Sequence, residues 1–252
     1  MSAPQTVRTR RGAGYDDLAE VYERYAGAAA RAVWRLGVGA ELATLAPSSP
    51  RVLDLGAGTG IGTGVLTELV PGAEVTSLDR SAEMLARGGV PAERRIVADM
   101  ADFTVDEPFD AVVSGFDSLN YLPPDRLADC LARVADALRP GGHLLFDYCS
   151  RRFLRTDADV GASETDLGDG LRLHRRRHAF EEPFSRSRTF LTLYRSDEPL
   201  WHQHHVHYTV DPFTLEELAR GAGLETLLIR NLGDRQFTPG QATHLYVMRR
   251  VG

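Results

Sequence analysis

The 252-residue chain contains no lysine: all 29 of its basic residues are arginine. A Schiff-base lysine or a lysine general base is therefore unavailable, which removes a class of enzymes. Asn occurs twice and Ile three times, a shortage of AT-rich codons that a GC-rich genome explains more simply than a demand for arginine. Cysteine is almost as scarce. Cys130 and Cys149 fall on a predicted helix and at a predicted strand end. Two isolated thiols neither staple a fold nor make a zinc site, and they fit a reducing cytoplasm. No apolar run reaches membrane-spanning length, and the N-terminus shows no hydrophobic signal region. The net charge of −6 argues against general binding to nucleic acid or to an acidic membrane.

What is present is an α/β pattern, with 43% hydrophobic residues, enough to bury a full core with an inserted cap. Residues 1–14 are expected to be mobile. Residues 15–46 read as one or two helices, with Leu18, Val21, Tyr22 and Tyr25 at helical spacing and Trp34 as core packing. After the break at Pro47-Ser-Ser-Pro50, strands at about 51–55, 74–79, 95–99, 109–114 and 143–148 alternate with helical segments. That alternation predicts a doubly wound, mostly parallel sheet. A helix over 125–139 carries the stripe Leu127, Leu131, Val134, Leu138 and stops at Pro140-Gly-Gly. Beyond Cys149 the pattern changes to long strands at 171–180, 189–195 and 200–210, an antiparallel insertion. A short helix from Thr214 to Ala222-Gly223 and strands at 224–230 and 244–249 follow. The expected division is residues 1–150 for the N-terminal helices and core, 151–212 for a substrate cap outside the cofactor pocket, and 213–252 for completing the sheet.

The stretch Arg51-Val-Leu-Asp-Leu-Gly-Ala-Gly-Thr-Gly60 carries the first functional signal. Glycines at a strand-to-helix turn let the backbone approach a ligand closely. Two further strands end in Asp79 and Asp99. An acid at the neighbouring strand end is placed to accept both hydroxyls of a ribose, and a third, one strand out, to accept from adenine's exocyclic amine. A plain βα turn and a nicotinamide dinucleotide fold share the glycines. Asp54, however, lies two residues before the first glycine, where it repels a pyrophosphate and attracts an ammonium group. The ligand so described is S-adenosylmethionine.

Five segments, Val52-Leu-Asp-Leu-Gly-Ala-Gly-Thr-Gly60, Ser77-Leu-Asp-Arg-Ser-Ala-Glu-Met-Leu85, Val97-Ala-Asp-Met-Ala-Asp-Phe103, Phe109-Asp-Ala-Val-Val-Ser-Gly115 and Leu138-Arg-Pro-Gly-Gly-His-Leu-Leu-Phe146, follow in that order. In them the chain resembles the class I S-adenosylmethionine-dependent methyltransferases, and within that family the small-molecule enzymes, such as amino-sugar N-methyltransferases and glycine or sarcosine methyltransferases. The resemblance implies a seven-stranded Rossmann-like sheet whose last strand is antiparallel, with the insertion as a cap. It also implies a cofactor site made of Tyr15, Tyr22, Asp54, Gly56, Ala57, Gly58, Asp79, Arg80, Met84, Asp99, Met100, Ala101, Ser114 and Phe116, with the N-terminal helix covering the cofactor. The activity it implies is methyl transfer to a nitrogen or oxygen of a small molecule, an amino sugar or another secondary metabolite of natural-product or antibiotic biosynthesis. A methyltransferase-fold protein that binds the cofactor without transfer, as a cyclase or regulatory subunit, is the alternative.

On the acceptor side, Asp117, Asn120 and Tyr121 lie where the methyl group should point, although Asp117 and Ser118 would equally serve as a helix cap. The cap holds His174, His178, His202, His204, His205 and His207. Strand alternation puts Trp201, Gln203, His205 and His207 on one face and His202, His204 and Tyr208 on the other. A polar strand face is the simpler reading for any one of them, and no carboxylate or cysteine set completes a metal shell. Tyr15, Tyr121, Asn120, His205 and His207 are the candidates at the reacting group, acting by placement more than by acid–base chemistry. The Arg172–Arg177 stretch, offset by Glu164, Asp166, Asp169, Glu181 and Glu182, reads as a solvated strand face or a grip on one acidic substrate group. A homodimer through the cap is left open.

Overall fold

A computed structural model of the chain describes residues 8–9, 15–154, 161–180, 185–234, 236–238 and 241–252. The expectation for residues 1–14 therefore falls outside the described residues except at 8–9, as do Glu181 and Glu182. The short strand β1 (Arg8–Thr9) belongs to the cap. The core strands are β2 (Arg51–Leu55), β3 (Glu74–Asp79), β4 (Arg95–Val97), β5 (Phe109–Ser114), β6 (Leu138–Cys149), β11 (Leu224–Asn231) and β12 (Thr243–Arg250). They form one seven-stranded sheet in the order β11-β12-β6-β5-β2-β3-β4. The strands β6, β5, β2, β3 and the edge strand β4 pair in parallel, and β12 runs antiparallel to both of its neighbours.

Both faces of this sheet are covered, which is why its strands read as continuous apolar runs rather than alternating ones. On one face Trp34, Val38, Leu42, Val65 and Leu66 come from helices α1 (Tyr22–Leu36), α2 (Val38–Leu45) and α3 (Ile61–Leu69). On the other, Leu127, Leu131 and Val134 of α5 (Pro124–Ala137) pack with Leu215 and Ala219 of α6 (Pro212–Gly221). The helix α4 (Ala82–Arg87) follows β3, capped by Ser81, whose hydroxyl accepts the Met84 N–H at 3.1 Å. Trp34 lies so close to Gly115 that a Cβ there would stand 2.5 Å from the indole, so only glycine fits.

Several boundaries differ from the sequence reading, each for a local reason. The helix expected to reach residue 139 ends at Ala137, because Leu138 already pairs with Phe109 as the start of β6. The third strand stops at Val97, since the chain turns back through an Asp99–Asp102 bridge. Residues 15–20 form turns rather than helix, and α1 begins at Tyr22. The helix expected from Thr214 starts at Pro212, because Asp211 caps it by accepting the Thr214 N–H at 3.0 Å. No described helix is long and apolar enough to cross a membrane.

The insertion is a second sheet: β7 (Ala162–Gly168), β8 (Leu171–Phe180), β9 (Ser185–Arg195) and β10 (Glu198–Thr209), ordered β1-β10-β9-β8-β7. β7 was not expected. It is an edge strand with one buried residue, Leu167, so period-two hydrophobicity is missing from its sequence. β8, β9 and β10 alternate as predicted. Their apolar face buries Leu171, Leu173, Leu191, Leu193 and Trp201 in one cluster with Leu18 and Val21. The segment just before α1 thus shares the cap's core, across the division expected at residue 150.

Candidate active site

The carboxyl ends of β2, β3 and β5 open into a cleft, as doubly wound sheets dictate. The turn after β2 holds Gly56 at φ 76° and Gly58 at φ 55°. A Cβ on Gly56 would also stand 2.9 Å from that of Ser118, so both conformation and space require glycine. Asp79, at the end of β3, is clamped by two backbone donors: Gly58 N–H to Oδ2 and Ser81 N–H to Oδ1, both at 2.9 Å. Burial raises its pKa above the ordinary carboxylate value, and those amides pull it back. Asp99 accepts the Ala101 N–H at 2.8 Å and has Arg126 at 3.3 Å.

Of the residues expected at the cofactor, the cleft is lined by Tyr15, Tyr22, Gly56, Gly58, Asp79, Arg80, Met84, Asp99, Met100 and Phe116, together with Tyr121. Leu78, Ala98, Ser118 and Leu122 line it as well and were missed. Four expected residues are not among the lining ones. Asp54 is fully buried beneath the turn, with Oδ2 accepting from the Thr63 hydroxyl at 2.7 Å and Oδ1 without a partner. Burial raises its pKa to about 7. Ala57 turns its N–H to Leu78 O at 2.9 Å. Ala101 is spent on Asp99, and the Ser114 hydroxyl donates to Leu55 O at 2.9 Å.

A second cavity adjoins the first, and the two share Tyr15, Tyr22, Phe116 and Tyr121 as a common wall. The Tyr15 and Tyr121 hydroxyls meet in this wall. Both are half-buried, and loss of solvent around the hydroxyls pushes their pKa values well above the phenol value, so both stay protonated. His205 packs 4.9 Å from the Tyr15 ring and His207 4.3 Å from the Tyr121 ring, centroid to centroid. Burial, then nearby guanidinium charge, lowers His205 to about 4 and His207 to about 3. Each imidazole is therefore neutral near pH 7, with His205 Nε2 and His207 Nδ1 lacking partners. His207 Nε2 lies 3.4 Å from Asp117 Oδ2.

Asn120, expected at the reacting group, is fully buried and not among the lining residues. Its Nδ2 donates to Cys149 O at 3.1 Å and Tyr208 O at 2.8 Å, and its Oδ1 accepts the Cys149 N–H at 2.8 Å. It joins the end of β6 to the cap. The outward histidines lie elsewhere: His174 pairs with Glu164 and His202 with Thr192. Asp147 and Arg177, both buried, also line the outer cavity. Asp147 stands one residue before the end of the strand expected at 143–148, a strand-end acid like Asp79, and Arg177 belongs to the stretch read as a solvated face or a grip on one acidic substrate group.

A methyltransferase-domain family description matches residues 52–142. The trans-aconitate 2-methyltransferase of Streptomyces coelicolor is 31% identical over 228 residues, 84% of this chain and 72% of that protein. This chain belongs to the S-adenosylmethionine-dependent methyltransferases. The Deinococcus radiodurans enzyme of the same name is 37% identical over 51% of each chain, and across several curated relatives the chain spans only about two fifths to just over half of the relative's length. In fold, the methyltransferase resembles the sugar N-methyltransferase of Streptoalloteichus, with TM-score 0.74 at 21% identity over 100% of this chain and 99% of that one. The cofactor of the family is S-adenosylmethionine, and the cleft offers a ligand room at the glycine turn and two lining carboxylates, Asp79 and Asp99.

Proposed function

We propose that this methyltransferase transfers the methyl group of S-adenosylmethionine to a nitrogen or oxygen of a small molecule in the outer cavity, an amino sugar or another secondary metabolite. The observation that carries this reading is the wall of Tyr15, Tyr22, Phe116 and Tyr121 common to both cavities. Two cavities on either side of the same four rings are what a donor and an acceptor brought face to face would need. In this reading Asp79 accepts from the ribose hydroxyls, Asp99 accepts from the adenine amine, the Met100 backbone reads the ring edge, and Tyr15 and Tyr22 cover the cofactor. When bound, the sulfonium cofactor supplies a methyl group that is already electrophilic. The protein's remaining work is alignment and exclusion of water. Neutral His205 and His207 offer polar contacts without repelling a cationic amine.

A second reading, methylation of a carboxylate oxygen, draws on Arg175 and Arg177 in the outer cavity and on the substrate named for the trans-aconitate relatives. Incubation with S-adenosylmethionine and a panel of amino sugars, sugar hydroxyls and polycarboxylates tests both. The main reading expects a methyl mass gain on a sugar amine or hydroxyl, with S-adenosylhomocysteine formed in equal amount. Methylation of the polycarboxylates alone selects the second. Tight cofactor binding with no S-adenosylhomocysteine from any acceptor would leave only a non-transferring, cofactor-binding role.

A further inference from the structure

Phe116 and Asp117 hold φ of 57° and 55°, among the described residues the one place where two successive non-glycine residues adopt left-handed backbone. Such residues persist only where surrounding structure over-determines them. Asp147, on β6 beneath it, holds this turn at its amides, while the Ser118 hydroxyl donates to Gly115 O at 2.9 Å and the Asn120 N–H to Asp117 O at 3.0 Å. The Asp117 N–H donates to Asp147 Oδ2 at 3.0 Å, and the Phe116 amide also favours the ionised carboxylate. The other oxygen, Oδ1, is buried without a donor, so the bonds this acid makes are to the turn. The turn in turn aims two side chains. The Phe116 ring stands in the wall between the cavities, and the Asp117 carboxylate faces His207 of the cap at 3.4 Å.

We propose that Asp147 is a positioning residue for methyl transfer: it clamps the left-handed Phe116–Asp117 turn, and so fixes the wall between donor and acceptor and the Asp117–His207 contact across it. This rests on the methyltransferase reading above, but the clamp itself has a readout independent of any acceptor. The clamp needs a hydrogen-bond acceptor, not a charge. In Asp147→Asn, whose amide oxygen still accepts, turnover stays within about threefold of wild type. In Asp147→Ala, kcat falls about 10–100-fold, as for displacement of an aligned group, while acceptor KM and S-adenosylhomocysteine affinity by calorimetry stay within a few-fold. A crystal structure of the Ala variant shows Phe116 or Asp117 leaving the left-handed region. The proposal is overturned if the Ala variant keeps wild-type kcat, if Asn and Ala lose equally, or if the Ala variant keeps the turn unchanged. If the Ala variant does not fold, Asp117→Ala carries the test: it loses kcat to the same extent with cofactor affinity kept, and wild-type turnover there overturns the idea. If wild type methylates nothing, the functional reading fails while the turn's dihedrals in the Ala variant still decide the clamp.

Discussion

The two sheets of this protein bury opposite chemistry. The core sheet, covered on both faces, hides carboxylic acids: Asp54 and Asp147, both raised in pKa by burial. The cap sheet, apolar on one face and half-wet on the other, hides nitrogen bases: His205 and His207, lowered by burial, and the Arg177 guanidinium, over the Phe153 ring. The acids sit at the carboxyl ends of parallel strands, where a doubly wound fold puts its ligand and every strand delivers one residue to the rim. His205 and His207 sit at alternate positions of β10, where spacing of two keeps them on a single face, and Arg177 lies two strands away on β8, with Thr189 of β9 paired to both His205 and Arg177. The core can thus place single residues from separate strands, whereas the cap supplies a surface. That difference suits a fixed donor on one side and a variable acceptor on the other.

The largest effect expected is on the core side alone. With Asp79 in the proposed role of accepting both ribose hydroxyls, Asp79→Ala should lower cofactor affinity by calorimetry by about 2–4 kcal/mol, with the cap unaffected. Unchanged affinity in a folded variant would remove Asp79 from the cofactor site.

A smaller effect separates the sheets by pH. The core acids have folded pKa values of about 7 and 6 against an unfolded value near 3.9. Between these limits the folded state holds more protons, so this contribution to stability is complete below about pH 4 and is lost as pH rises toward 7. The cap imidazoles, at about 4 and 3 against roughly 6.5 unfolded, work the other way: stability is lost as pH falls below about 6.5. Each group is worth at most about 1.4 kcal/mol per pH unit crossed. Thermal melts should therefore show Asp54→Asn losing stability on acidification relative to wild type and His207→Gln gaining it. Parallel profiles for all three proteins would end the contrast drawn between the sheets.

The smallest effects belong to the cap's outward face. Alanine at His174, His178, His202 or His204 should leave turnover within a few-fold, and with an amine acceptor alanine at His205 or His207 should still leave it measurable. A fall of about 10³ or more in kcat at either inward histidine, with cofactor binding intact, would instead mark a required base and hence an oxygen acceptor.

The core was legible because its signals are local: apolar runs of strand length, glycines at a turn, acids at strand ends. The predicted limits 51–55, 74–79 and 109–114 are those of β2, β3 and β5. The inward pairing of His205 with His207 followed from alternation and agrees with their burial, against exposed His202 and His204. What sequence did not reveal depends on contacts between distant segments. Leu18 and Val21 look like helix-face residues but pack under the cap. Asn120 looks like a substrate contact until its three backbone partners, 29 and 88 residues away, are seen. Asp54 reads as facing a ligand, yet Thr63, nine residues on, holds its carboxylate beneath the turn.

Asn120 also sets how the molecule can move. Its side chain grips the end of β6 and the end of β10 together, and the Thr209 hydroxyl adds a 2.8 Å bond to the same Cys149 carbonyl. The root of the cap is thus riveted to the buried end of β6 in the core, and the cap cannot swing there as a hinged door. The turns of residues 15–20 are held by side chains instead, through the Tyr15–Tyr121 contact and the Ser81 hydroxyl, which donates to Asp16 Oδ1 at 2.5 Å. In hydrogen exchange the amides around Cys149 should be among the last to open and those of the Tyr15 turn among the first.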